Sequence, residues 1–257
     1  MRIHATAIVH PHARLGDNVC IGAYAIIHAN VVIGDGCEIG PHVVIEEHTQ
    51  LGRNNRIFAH ACLGAAPQDT SYAGEETRLE IGERNVIREF VTVHRGTAKD
   101  RAVTRIGNDN LLMVYAHVAH DCFIGNQVIM ANAATLAGHV TVGDGVNIAG
   151  LSAVHQFVRI GSYAMLGGGT IATLDIPPFM LAAGNHARLY GLNRRGLRRH
   201  DFDSDTIDQL QQAYRLLFRS GKRLTDAIMS VEAAGFASPQ VSHLLAFLRH
   251  SQRGVTR

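Results

Sequence analysis

The sequence predicts a mainly β protein, a parallel β-helix of hexapeptide repeats followed by a C-terminal α-helical domain. Three observations lead there. From Ile106 to Leu166 an aliphatic residue falls at every sixth position: Ile106, Leu112, Val118, Ile124, Met130, Leu136, Val142, Ile148, Val154, Ile160 and Leu166. With 46% hydrophobic residues overall, eleven such hits in succession have a chance expectation of roughly two in ten thousand. Second, two positions before most of these sits a small residue, among them Ala116, Cys122, Ala134, Ser152 and Ala164. Third, beyond about Ser204 the apolar spacing becomes helical. A period of six is neither 3.6 nor 2, so it describes a short strand plus a corner, repeated. Three hexads close one triangular coil, and residues eighteen apart stack in files about 4.8 Å apart.

Taken in order, the column begins at Ile3 and continues through Val9, Leu15, Ile21, Ile27 and onward to Leu63. Gly often follows the aliphatic residue (Gly16, Gly22, Gly34, Gly40, Gly52, Gly64), with Asp or Asn close behind. These residue types tolerate the positive φ or tight turn that a corner needs. The column breaks over 65–80, a stretch with Pro, Gly and charge that predicts a loop thrown out from one corner. It resumes at Ile81, Ile87 and Val93, and a second excursion over 96–105 precedes Ile106. Long loops on a rigid repeat tend to carry function. The pattern stops at Pro177-Pro178, and an irregular basic segment is expected over 184–200. Helices are then marked by Ile207, Leu210, Tyr214 and Leu217, by a weaker stretch over 225–234, and by Ser238-Pro239 leading into Val241, Leu244, Leu245 and Leu248. The expected division is 1–185 for the β-helix, of nine to ten coils, and 186–257 for the connector and helical domain.

Lys plus Arg (24) nearly balances Asp plus Glu (22), so charged partners must be sought in local clusters, and no nucleic-acid partner is expected. The four cysteines include no CxxC pair, and Cys37 and Cys122 fall on the small interior position. Buried thiols are therefore expected rather than disulfides or a zinc site. No signal-peptide pattern and no apolar run of membrane-spanning length is found, so a cytoplasmic location is expected.

HRGT at His94–Thr97, DNLLM at Asp109–Met113, AHVAHD at Ala116–Asp121, ATLAGHV at Ala134–Val140, AVHQF at Ala153–Phe157 and GNHA at Gly184–Ala187 resemble one family over essentially the whole chain. It is the acyl-[acyl-carrier-protein]–UDP-N-acetylglucosamine O-acyltransferases, the first enzymes of lipid A synthesis. The resemblance implies a left-handed coil, an exception to the usual crossover hand, and a homotrimer with active sites between subunits. It implies acyl carrier protein and UDP-N-acetylglucosamine as partners. No cofactor is implied beyond the phosphopantetheine that carries the acyl group, and no metal.

Acyl transfer from a thioester to a hydroxyl needs a base, an oxyanion donor and alignment of both substrates. Histidine suits the first task, with an ordinary pKa of about 6.5. His120 is followed by Asp121, a carboxylate able to fix its tautomer, and the family's base falls on His120, with direct transfer rather than an acyl-enzyme. His120, Gly138 and Gln156 lie eighteen residues apart and form one predicted file. Gly138, lacking a side chain, leaves its N–H open to an oxyanion, the role the resemblance also gives it. His117, His139 and His155 are expected around the substrates. The resemblance places Asp69 at the sugar, Asn193, Arg199 and His186 at the nucleotide, and Gly168 at the position limiting acyl length, where glycine leaves the groove open. The sequence departs from the family pattern at Ser71, where a lysine is expected, at Arg195, where an acidic residue is expected, and at His200, where a second basic residue is expected. Arg215, Arg219, Lys222 and Arg223 form a basic face suited to an acidic carrier protein.

Two other enzyme readings share the predicted fold. A γ-type carbonic anhydrase would hold zinc with histidines such as His117, His120, His139 and His155, although their spacing does not match its ligand pattern. Other hexapeptide acyl- or acetyltransferases would lack this tail or carry an additional N-terminal domain.

Overall fold

The computed structural model describes residues 2–257. Strands of mostly two residues wind into a parallel β-helix of three sheets, in which each strand as far as Ala153–Val154 pairs with the one three strands later. Register follows the stacking rule: His117 lies opposite Thr135 and Val118 opposite Leu136, which in turn lies opposite Val154. In each strand the column residue points inward and its predecessor outward, so the aliphatic file and the small residues two positions earlier fill the prism. The first sheet contains Arg2–Ile3, the second Ile8–Val9 and the third Arg14–Leu15. The three edges are named here by the sheets they join: first-to-second, second-to-third and third-to-first.

Corner chemistry differs from the sequence expectation in an instructive way. The positive φ falls three residues past the column aliphatic, on residues such as Asn30, His42, Phe90, Asp121 and His139, and, Gly64 apart, not on the glycine directly after it. That glycine answers crowding instead. A Cβ on Gly34 would lie 2.7 Å from the carbonyl carbon of Gly52 on the next coil, closer than any side chain can approach. The Asp and Asn two residues past the aliphatic cap backbone. On the third-to-first edge Asp35 accepts from the Asp17 amide at 2.9 Å, Asn126 from Asn108 at 2.8 Å and Asp144 from Asn126 at 2.6 Å. The interior also holds a polar file that the aliphatic pattern hides. Fully buried Asn55, Asn85 and Asn110 hand hydrogen bonds from coil to coil, which meets the requirement that buried amides be paired.

Both long excursions leave the second sheet and enter the third. One runs from Cys62–Ala65 to Arg78–Ile81 and the other from Thr92–His94 to Val103–Ile106. They therefore emerge from one edge, above the coils that carry His120 and His139.

The segment expected to be irregular over 184–200 is ordered by pairing. Arg188–Leu192 runs antiparallel to Met180–Ala183 on the end of the first sheet, so residue 185 falls inside a hairpin. Then follow α1 (Arg194–Arg199), α2 (Ser204–Phe218), α3 (Leu224–Ala233) and α4 (Pro239–Arg249). Asp203 caps α2 by accepting from the Thr206 amide at 2.7 Å. The apolar residues predicted for α2 and α4 join one hydrophobic cluster with the β-helix. The chain end returns to the coil, where the Asp175 amide donates to the Gly254 carbonyl at 3.0 Å. All four cysteines are free, and burial pushes the Cys122 thiol up to about 12.

Candidate active site

His120 lies on the second-to-third edge and donates from Nδ1 to Asp121 Oδ2 at 2.9 Å. A carboxylate accepts only, so the Nδ1 proton is fixed and Nε2 keeps its lone pair. Asp121 is buried and is itself held: Thr97 donates its amide to Oδ1 at 2.9 Å and its hydroxyl to Oδ2 at 2.7 Å. Thr97 opens the second excursion, so that loop braces the carboxylate that orients the imidazole.

Gly138 stacks directly on His120. A Cβ there would meet His120 Cε1 at 2.6 Å and Nε2 at 2.8 Å, so glycine is what leaves the ring its place. The neighbouring amides are used, Ala137 donating to Val154 and His139 to His120. Among the described residues the Gly138 amide has no acceptor. It lacks the side-chain cap seen at the equivalent position of the third-to-first edge.

His139 stands edge-on to His120, its ring centroid 5.1 Å away, and lies flat on Phe157 at 4.4 Å. Its Nδ1 meets Asp100 Oδ2 at 3.0 Å, and its Nε2 lies 3.9 Å from Asp121. On the strand side His117 Nδ1 contacts Thr92 Oγ1 at 2.7 Å, and the His117 ring stands edge-on to His94 at 5.0 Å. Burial, then the neighbouring His117 and His120, pulls His94 down to about 4, and burial lowers His117 as well, with His120 adding to it. His94 is an addition that sequence reasoning missed as a site residue. Its only signal was its place in the HRGT motif.

Asp69, on the first excursion, accepts from the Ser71 amide at 2.9 Å and hydroxyl at 2.7 Å. These bonds, with smaller help from Lys99 and His120, hold its carboxyl at about 2. His155 and Gln156 occupy the same edge, exposed, with Arg253 Nη2 3.2 Å from His155 Nδ1. His186 is exposed beside Thr173. Gly168 faces open space, with only the Gly150 carbonyl near a would-be Cβ, at 3.7 Å.

Asn193 and Arg199 are elsewhere. Asn193 caps α1 and donates to the Tyr163 carbonyl at 2.9 Å. With Arg195, Arg199 and His200 it lines a pocket of about 580 Å³ against Gln127 and Gly145. That pocket sits on the third-to-first edge, whereas His120 sits on the second-to-third.

The hexapeptide transferase family, matched as six repeats, covers residues 12–47, and "Udp N-acetylglucosamine O-acyltransferase; Domain 2" covers residues 175–256. The acyl-[acyl-carrier-protein]–UDP-N-acetylglucosamine O-acyltransferase of Thiobacillus denitrificans is 52% identical over 255 residues, spanning 99% of both chains. That of Stenotrophomonas maltophilia is 51% identical over 257 residues, 100% of this chain and 98% of its own. The chain belongs to this acyltransferase family. Among the family's solved structures, the Bacteroides fragilis UDP-N-acetylglucosamine acyltransferase superposes with a TM-score of 0.97 at 41% identity, and the Acinetobacter baumannii enzyme with 0.96 at 44%. Each spans 99% of both chains. The coil is left-handed, like theirs. Family membership sets aside the carbonic anhydrase reading. His120, Asp121 and His139 do bring donor atoms within 4.8 Å of one another, but Asp121 Oδ2 is already engaged by Thr97 and His120. Among the described residues no helix is long and apolar enough to cross a membrane.

Proposed function

We propose that this chain transfers an (R)-3-hydroxyacyl group from acyl carrier protein to the 3-hydroxyl of UDP-N-acetylglucosamine, opening lipid A biosynthesis in the cytoplasm. The observation that carries this reading is the His120–Asp121 pair with its free Nε2 beside the uncapped amide of Gly138. His120 Nε2 takes the proton of the sugar hydroxyl as its oxygen attacks the thioester carbonyl carbon. The Gly138 N–H donates to the resulting oxyanion. Collapse breaks the C–S bond, and the departing phosphopantetheine sulfur recovers the proton from the imidazolium. Asp121 favours that cation and keeps the tautomer. No covalent acyl-enzyme and no cofactor of the protein's own are needed.

In this reading Asp69 accepts from a sugar hydroxyl, and His117, His139, His155 and Gln156 border the two substrates. Asn193, Arg199 and His186 hold the nucleotide. The open space at Gly168 admits a long acyl chain.

The positions of these groups support a homotrimer as part of this proposal. Within one chain the base and the Asn193–Arg199 pocket are on different edges, so one substrate reaches both only across two copies. Outward strand positions of the second sheet begin apolar (Ile8, Ile26, Val44), those of the first change from Arg2, Glu38 and Arg56 to apolar Val86, Leu111 and Ile129, and the third presents Arg14, Glu80, Arg105 and Arg159 alongside Val32 and Phe123. The first-to-second edge carries a ladder of stacked rings, Tyr24, His42, His60, Phe90 and Tyr115. With that edge turned to a three-fold axis, the second sheet of one copy packs on the first sheet of the next. The His120 edge then meets its neighbour's Arg199 edge.

Transfer to UDP-N-acetylglucosamine from a ladder of 3-hydroxyacyl carrier proteins, with coenzyme A thioesters alongside, tests the reaction. Robust transfer at one preferred length supports it, and no transfer from any donor defeats it. For the trimer, inactive His120→Ala and Arg199→Ala chains are mixed after unfolding. Random assembly gives about one intact site in four if each site draws on two copies, and no recovery if one chain supplies both groups.

A further inference from the structure

The second excursion places two oppositely charged neighbours over the site. The loop is pinned on either side of them: Thr97 binds Asp121, and the Arg101 guanidinium lies 4.4 Å over the Phe123 ring. Between these anchors Lys99 and Asp100 reach opposite ways. The Lys99 ammonium contacts the Ser71 hydroxyl and lies 3.7 Å from Asp69 Oδ2 on the first excursion. Asp100 meets His139 Nδ1 at 3.0 Å. Arg95, just before, ties the same two loops by donating to Tyr72 Oη and to the Gly64 carbonyl. The sequence has Ser71 in a place where a lysine would put a cation beside Asp69. The ammonium arrives instead from a loop 28 residues away.

We propose that Lys99 and Asp100 are positioning residues for the acceptor, setting the Asp69 carboxylate and the His139 ring toward the sugar. The proposal rests on the acyltransferase reading. Lys99 holds the Asp69 carboxylate in one place while leaving it free to accept from a hydroxyl. Asp100, as an acceptor, orients His139 by binding Nδ1–H and leaves Nε2 facing inward, toward Asp121 and His120.

The variants are Lys99→Met, Asp100→Asn and the double variant Lys99→Met with Ser71→Lys, which returns the cation from the first loop. Expected for Lys99→Met is a rise of about tenfold in KM for UDP-N-acetylglucosamine, with kcat held within about threefold, a loss of about 1.4 kcal/mol in binding. Asp100→Asn should raise KM by a similar factor, and the double variant should recover most of the loss of Lys99→Met. Unchanged KM in both single variants overturns the proposal, as does a Lys99→Met defect that Ser71→Lys fails to relieve. Amide hydrogen exchange over residues 65–80 gives a readout that needs no turnover. Faster exchange in Lys99→Met, reversed in the double variant, supports the clasp, and identical exchange in all three overturns it. An inactive wild type with this exchange pattern would count against the acyltransferase reading and not against the clasp.

Discussion

His60 and His139 occupy equivalent slots, each three residues past a column aliphatic, each with φ of 62°. The repeat has given them the same backbone. His60 lies sandwiched between His42 at 4.8 Å and Phe90 at 4.9 Å, in a file of rings that touch mainly each other. His139 also stacks, on Phe157, but it carries Asp100 on one nitrogen and faces Asp121 and His120 with the other. The repeat therefore supplies positions for imidazoles without making them chemical. What sets one edge apart is the pair of loops leaving it and the buried carboxylate that the second of them braces.

The largest expected effect separates the two edges most sharply. His120→Ala should lower kcat by about 10²–10⁴, with the assembly state unchanged because the ring lies on an edge outside the aliphatic core. An effect below about tenfold would remove His120 as the base.

His94 extends the contrast to pH. Its folded value is about 4 against an ordinary 6.5, so the folded state resists its protonation. Its contribution to stability is complete above pH 6.5 and is lost as pH falls toward 4, a decline of about 3 kcal/mol from this group. Denaturant unfolding across that window should show a shallower decline in His94→Gln. Parallel curves would mean that His94 titrates normally.

Gly138→Ala should cost about 10–100-fold in kcat at nearly constant KM, because the added Cβ displaces the His120 ring. Melting should shift little, and an unaffected kcat would show that the ring has room to move. The smallest effect belongs to the ring ladder. His60→Gln should leave kcat within about twofold and cost about 1 kcal/mol of stability in lost stacking. A catalytic defect of the size expected for His120→Ala would erase the distinction between the edges.

The prism was legible because its core is a one-residue rule: between the two excursions and on either side of them, every sixth side chain from Ile21 to Leu166 is aliphatic and buried. The His120–Asp121 pair was legible because its partners adjoin in sequence. The Asn55–Asn85–Asn110 file was not, since polar residues inside a barrel read as interruptions until their coil-to-coil bonds are seen. Nor were the contacts from Lys99 to Ser71 and Asp100 to His139, which span 28 and 39 residues and depend on loop paths that no period encodes. Arg188–Leu192 was misjudged because its strand character comes from pairing with Met180–Ala183 and not from local alternation.

The eighteen-residue register gives this molecule a phase as well as a length. Adding six residues between Leu166 and α1 would turn everything downstream by a third of a revolution and carry the arginine pocket to a different edge. Adding eighteen would restore the edge and slide the pocket by one coil, about 4.8 Å. Change in such a chain is therefore geared: whole turns adjust reach along the axis, and outward loops adjust chemistry at a corner. Anything in between would leave an intact coil with the arginine helix turned away from the edge that it now lines.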